Sequence, residues 1–193
     1  DWTYPVVFPP KRPALTIGEV ISREGRGQLH VAETEKYAHV TYFFNGGREE
    51  PFAGEDRQMI PSPREVKTYD EKPEMSEPQV ADTAATAIRS KKYDFVLVNF
   101  ANPDMVGHTG KLDPAIEAVE AVDRGVGAIV DAAREVGGAV IITADHGNCE
   151  LMRNPDGSPN TAHTTNLVHF VYVAENAKDF RVENGILADV APT

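Results

Sequence analysis

Three short segments carry side chains able to hold a divalent cation. In the first, Asp145 and His146 follow the run Val140-Ile141-Ile142-Thr143-Ala144 and lead into Gly147-Asn148. A carboxylate oxygen beside an imidazole nitrogen is a donor pair suited to Zn2+ or Mn2+. In the second, Asp104 and His108 stand four residues apart within Asn102-Pro103-Asp104-Met105-Val106-Gly107-His108. On a helical turn that spacing puts both side chains on one face, where they can share one cation. The third segment offers His163, inside Thr161-Ala162-His163-Thr164-Thr165. Taken singly, each segment fits either a ligand or a polar residue of a loop or capped turn. Lys36 adds a cation in the first turn of a helix expected to start at Thr34, where the helix macrodipole disfavours it. Such a lysine is either solvated and tolerated, or retained to meet an anion. His30, His39 and His169 read as structural, and Cys149 as a small packing residue rather than a soft ligand.

The elements that must position these groups follow from hydrophobic periodicity. Thr16 to Arg23 reads as a short helix closed by Gly25 and Gly27, and Gln28 to Ala32 alternates as a strand does. Thr34 is expected to cap a helix burying Tyr37, Val40, Phe43 and Phe44 and ending at Gly46-Gly47. Residues 48–79 are rich in Pro and charge and read as a long irregular connection, a length uncommon unless functional. A helix opens at Ser76-Glu77-Pro78 and runs to about Ser90. Tyr93 to Phe100 is nearly continuously apolar, as a central parallel strand is. Asp113 and Pro114 look like the N-cap and N1 residues of the longest helix, to about Glu135. Its stripe is Ile116, Val119, Val122, Val126, Ile129, Val130 and Ala133. The strand ending at Thr143 is expected to be buried, with Asp145 and His146 delivered at its carboxyl end, where α/β sheets gather ligands. A last strand is expected from Leu167 to Val173. Strand, long helix and strand over residues 93–143 form a βαβ unit, which implies an α/β fold with a parallel sheet and helices on its faces.

Composition narrows the class. A chain of 193 residues, 41% hydrophobic and 25% charged, is that of a globular domain. The net charge of −11, with no compensating basic cluster, argues against a nucleic-acid groove. One cysteine excludes an internal disulfide. No apolar run approaches the ~18 residues of a membrane span, and no secretory signal opens the sequence.

The three donor segments together resemble the alkaline-phosphatase superfamily, and within it the cofactor-independent phosphoglycerate mutases. The likeness is carried by Asp-Met-Val-Gly-His-Thr-Gly (104–110), Thr-Ala-Asp-His-Gly-Asn (143–148) and Ala-His-Thr-Thr-Asn (162–166). The stretch Glu-Thr-Glu-Lys-Tyr-Ala-His-Val-Thr-Tyr-Phe-Phe-Asn-Gly-Gly (33–47) is the most specific to the mutases.

The resemblance implies a three-layer, alkaline-phosphatase-like α/β fold with a mainly parallel central sheet, incomplete in this chain. It also implies two Mn2+ ions, with Co2+, Mg2+ or Zn2+ as substitutes and no 2,3-bisphosphoglycerate. Asp104, His108 and His163 would hold one ion, Asp145 and His146 part of the shell of the other. Lys36 would meet the substrate's phosphoryl group. The reaction implied is interconversion of 3-phosphoglycerate and 2-phosphoglycerate through a phosphoserine, in a monomeric cytoplasmic enzyme. Residues 1–13 are expected to be a linker returning from an inserted substrate domain, and residues 14–193 the C-terminal portion of the metal-binding domain. The nucleophilic serine and that second domain belong to segments outside this chain, so none of its residues is the expected nucleophile, and the chain is expected to be inactive alone. The alternatives are another phosphatase or phosphopentomutase of the superfamily, or a non-catalytic metal-binding module.

Overall fold

Gln28 and Leu29 begin the strand on which the rest is built. In the computed structural model, which describes residues 4–9 and 13–193, β1 (Gln28–Glu33) is buried along its whole length. It lies between β2 (Glu55–Ile60) and β3 (Phe95–Asn99) in a parallel three-stranded sheet of order β2-β1-β3. Alternation sends Leu29 and Val31 to one face, where they pack with Val80 of α2 (Glu77–Ser90). Gln28 and His30 face the other way. There Gln28 Nε2 donates to the Gly18 carbonyl of α1 (Ile17–Arg23) at 2.8 Å, and His30 packs edge-on against Phe44. Helical segments therefore cover both faces, as an α/β layered fold requires.

β2 is a strand within the stretch expected to be irregular. Its sequence, Glu-Asp-Arg-Gln-Met-Ile, hides it, because an edge strand needs few apolar residues and charge on it blunts unwanted pairing. β3, expected to be central, is half-buried and lies at the other edge of the described sheet. The Thr34 helix is also different from expectation. A 3-10 turn at Thr34–Lys36 runs into a π-helical stretch, His39–Phe43, which leaves Phe43 60% exposed while Val40 is buried. Thr34 makes no cap; its Oγ1 accepts from the Ser62 amide at 3.1 Å.

After β3, the short helix α3 (Asn102–Gly107) leads into α4 (Leu112–Val136), which Gly137 ends in the left-handed conformation. α4 starts one residue before the expected Asp113 cap, with Lys111 at the cap position. Its buried face is Ala115, Ala118, Ala121, Gly125, Ile129, Ala132 and Ala133, while Ile116 and Val119 of the expected stripe are 49% and 45% exposed. The reason is close approach to α2, which contributes Ala81, Ala84 and Ala85 to its own buried face. A Cβ on Gly125 would stand 1.9 Å from Glu77 Oε1. Gly125→Val should therefore displace the buried Glu77 carboxylate and crowd the Phe100 ring, costing about 3 kcal/mol, read as a lowered urea midpoint of the chain. An unchanged midpoint would mean that Glu77 swings aside freely.

β4 (Val140–Thr143) does not pair with β3 among the described residues. It pairs antiparallel with β5 (Phe170–Val173) in a separate two-stranded sheet. The βαβ reading is thus corrected at its second pairing, and the strand is not buried, since Ile141 is 50% exposed. Apolar content marks a strand but does not choose its neighbour. β5 is shorter than expected, leaving Leu167 93% exposed and His169 outside it. Residues 4–9 are exposed and without regular structure, and residues 1–3 and 10–12 of the expected linker lie outside the described residues.

Candidate metal centre

Asp104 sits in the first turn of α3 and His108 at its C-cap, so the four-residue spacing puts both on one side. His108 Nε2 is 3.0 Å from Asp104 Oδ1. The loop after β4 brings His146, and the loop before β5 brings His163. His163 Nε2 is 3.0 Å both from Asp104 Oδ1 and from His108 Nε2. His146 stacks on His163 with ring centroids 3.6 Å apart and holds its Nε2 3.9 Å from Asp104 Oδ1. Ligand atoms of Asp104, His146 and His163 all lie within 4.8 Å of one another.

His108 Nδ1 lies 2.6 Å from the Thr161 carbonyl, an acceptor only. That contact assigns the proton to Nδ1 and leaves the Nε2 lone pair aimed at Asp104 and His163. One proton on His163 Nε2 can serve only one of its two neighbours, so two acceptors are left in close approach. A cation removes that conflict. Bonds of ~2.0–2.2 Å to three such donors require donor separations of ~3–3.5 Å, and these atoms have them. The residues present fit a divalent metal.

Asp104 already carries a cation on its other oxygen. Lys36 Nζ donates to Asp104 Oδ2, and the lysine is only 7% exposed, so it is not the solvated surface residue that one reading of the sequence allowed. Burial works against ionisation of Asp104, but the Lys36 ammonium and the Asn148 amide override it and hold the carboxyl down at about 2. Asn148 is a site residue that the donor pattern of the sequence does not mark. It is buried and donates from Nδ2 to Asp104 Oδ1 at 2.9 Å. Its place three residues after Asp145 in the same loop was the available signal.

Asp145 lies at the rim, with its side chain 59% exposed and its Oδ1 3.6 Å from His146 Nε2. His146 lies between the two expected donor sets, with Asp145 beside it and the His163 ring stacked on it. His39, read as bonding to a neighbour, has a buried Nδ1 with no partner. Burial and the nearby Lys36 charge lower its pKa, keeping the ring neutral. Cys149 donates its thiol to the Pro103 carbonyl at 2.8 Å. Burial, with Asp104 and Glu150 nearby, pushes its pKa to about 11, so it packs as a neutral thiol.

The sequence profile of the metalloenzyme superfamily matches residues 7–193. The chain belongs to that superfamily. It is 58% identical over 189 residues to a 2,3-bisphosphoglycerate-independent phosphoglycerate mutase of Syntrophotalea carbinolica, covering 98% of this chain and 37% of the relative. A protein of the same name from Akkermansia muciniphila is 57% identical over 98% of this chain and 36% of its own length. The chain thus spans little more than a third of the curated relatives it matches. Among solved structures, Leishmania mexicana phosphoglycerate mutase at low cobalt concentration superposes with a TM-score of 0.75 at 37% identity, over 79% of this chain and 30% of that one. No helix among the described residues is long and apolar enough to cross a membrane.

Proposed function

We propose that this chain forms part of the metal-binding domain of a cofactor-independent phosphoglycerate mutase, interconverting 3-phosphoglycerate and 2-phosphoglycerate in the cytoplasm. The observation that carries the reading is the placing of His108 Nε2 and His163 Nε2 each 3.0 Å from Asp104 Oδ1 and from one another, with His146 Nε2 3.9 Å from the same oxygen. The names of relatives more than half identical across this chain support it.

In this reading Asp104, His108 and His163 hold one Mn2+ ion, and Asp145 and His146 contribute to the shell of a second. When bound, two such ions neutralise phosphoryl oxygens and lower the pKa of an attacking hydroxyl. The chain's own residues orient that chemistry. The Thr161 carbonyl fixes the His108 tautomer, and Asn148 holds Asp104 Oδ1 in place. Lys36 keeps its ammonium at the edge of the donor cluster, where it can pass from the Asp104 carboxylate to a phosphoryl group. The nucleophilic serine and the domain that grips the glycerate lie in segments beyond this chain. The 193 residues by themselves should therefore show no turnover.

Two measurements test the reading. A Mn2+ titration of the chain should show binding that His163→Ala removes, and a folded chain that binds no Mn2+ would refute the metal assignment. Protein from the complete reading frame should convert 3-phosphoglycerate without added bisphosphoglycerate. Preference for phosphopentoses or p-nitrophenyl phosphate would place it with the other phosphatases or mutases of the superfamily.

A further inference from the structure

Between β4 and β5 the chain runs through residues 144–169 without a helix or a strand, yet this stretch carries Asp145, His146 and His163. A segment of that kind is entropically expensive to order, so something must hold its two donor loops together. The two loops meet at one place. The Thr164 amide donates to the Gly147 carbonyl at 2.9 Å, forming an isolated antiparallel bridge.

The carboxylate of Glu150 spans that bridge. Glu150 Oε2 accepts from the Asn148 amide at 2.6 Å, on the His146 side. Glu150 Oε1 accepts from the Thr164 hydroxyl and, at 2.9 Å, from Asn166 Nδ2, on the His163 side. Gly147 lies under this contact. A Cβ there would stand 2.2 Å from Thr164 Oγ1 and 2.3 Å from Glu150 Oε1, so a side chain at this position would push apart the hydroxyl and carboxylate that meet over it. Charge-assisted hydrogen bonds of this kind are stronger than neutral ones.

We propose that Glu150 is a positioning residue for metal binding: by accepting from Asn148, Thr164 and Asn166 it locks the His146 loop to the His163 loop. It takes no part as a ligand. Both its oxygens are turned to the two loops, and its effect on the donors passes through backbone that it fixes. Without the clasp, the stacked rings of His146 and His163 must be ordered at the moment the cation arrives, and affinity falls by the cost of that ordering. The inference rests on the proposed reading of His146 and His163 as ligands.

The test compares the unaltered chain with Glu150→Ala, Glu150→Gln and Thr164→Val. Three quantities are measured: Mn2+ affinity, thermal midpoint without metal, and amide hydrogen exchange at Thr164. Glu150→Ala should weaken Mn2+ binding about 10- to 100-fold, the range for residues that orient ligands. The metal-free midpoint should move little, because Glu150 is exposed. Exchange at the Thr164 amide should accelerate without metal, which a loss of general stability at constant midpoint cannot produce. Glu150→Gln keeps one acceptor oxygen and should lose less. If Glu150→Ala lowers the midpoint sharply, Thr164→Val, which removes one donor and no charge, is read in its place and should weaken binding several-fold. Unaltered Mn2+ affinity in the folded variants overturns the clasp and leaves the metal site standing. Absence of Mn2+ binding by the unaltered chain overturns the site reading, and the clasp inference with it.

Discussion

Asp104→Asn should lower Mn2+ affinity by on the order of 100-fold or more while the chain remains folded. Asp104 supplies the only carboxylate in the group whose ligand atoms converge, and its Oδ1 is the atom that His108 and His163 both approach at 3.0 Å. An amide at that position removes the charge that offsets the cation's loss of water. It also lets an NH2 group point at imidazole lone pairs. The Lys36 ammonium loses its partner as well, so the metal-free variant should melt lower than the unaltered chain. Circular dichroism separates the two effects by reporting whether the variant is folded at the titration temperature. Retention of tight Mn2+ binding by Asp104→Asn would mean that the imidazoles alone make the site, and the present assignment would be wrong.

The second large effect is expected from Lys36→Met, which keeps the length of the side chain and deletes its charge. In the metal-free chain this leaves Asp104, with its side chain 14% exposed, facing no ammonium. The carboxyl lies at about 2 in the folded chain against an ordinary value near 4. Since the folded-state value is the lower one, the contacts of Lys36, Asn148 and His108 with this carboxylate together contribute stability above about pH 4 and lose it as the pH falls through about 2. The size of their net contribution is about 2 kcal/mol. Lys36→Met removes the first of these contacts and should cost on the order of 1–2 kcal/mol at neutral pH, and the gap should narrow as both chains are acidified toward pH 2. Added Mn2+ should raise the melting temperature of the variant more than that of the unaltered chain, because the ion no longer competes with an ammonium for Asp104. A stability gap that stays constant from pH 7 to pH 2 would show that Lys36 acts through packing alone.

Sequence and structure part company at identifiable places. The polar strand β2 was invisible to hydropathy because it lies at an edge and pairs through its backbone. Connectivity pairs β4 with β3, yet the strand pairs with β5, which follows it by a long loop. Apolar periodicity points Ile116 and Val119 of α4 inward, whereas the contact with α2 is made by alanines and Gly125, residues that such periodicity weighs less. The seating of Lys36 against Asp104 joins residues 68 positions apart, and no local rule relates them.

By itself, the sequence determined which residues offer donor atoms of the kind a metal takes, because donor type and the i, i+4 spacing of Asp104 and His108 are local properties. It also determined that strands and helices alternate in an α/β pattern, since periodicity is written along the chain. Only the tertiary structure decided how the donors are grouped. His146, His163 and Asp104 meet because two irregular loops close on Gly147 under the Glu150 carboxylate and dock on α3. Their sequence separations say nothing of that meeting. It is set by a glycine that admits close approach and by hydrogen bonds between segments that become neighbours only after the chain has folded.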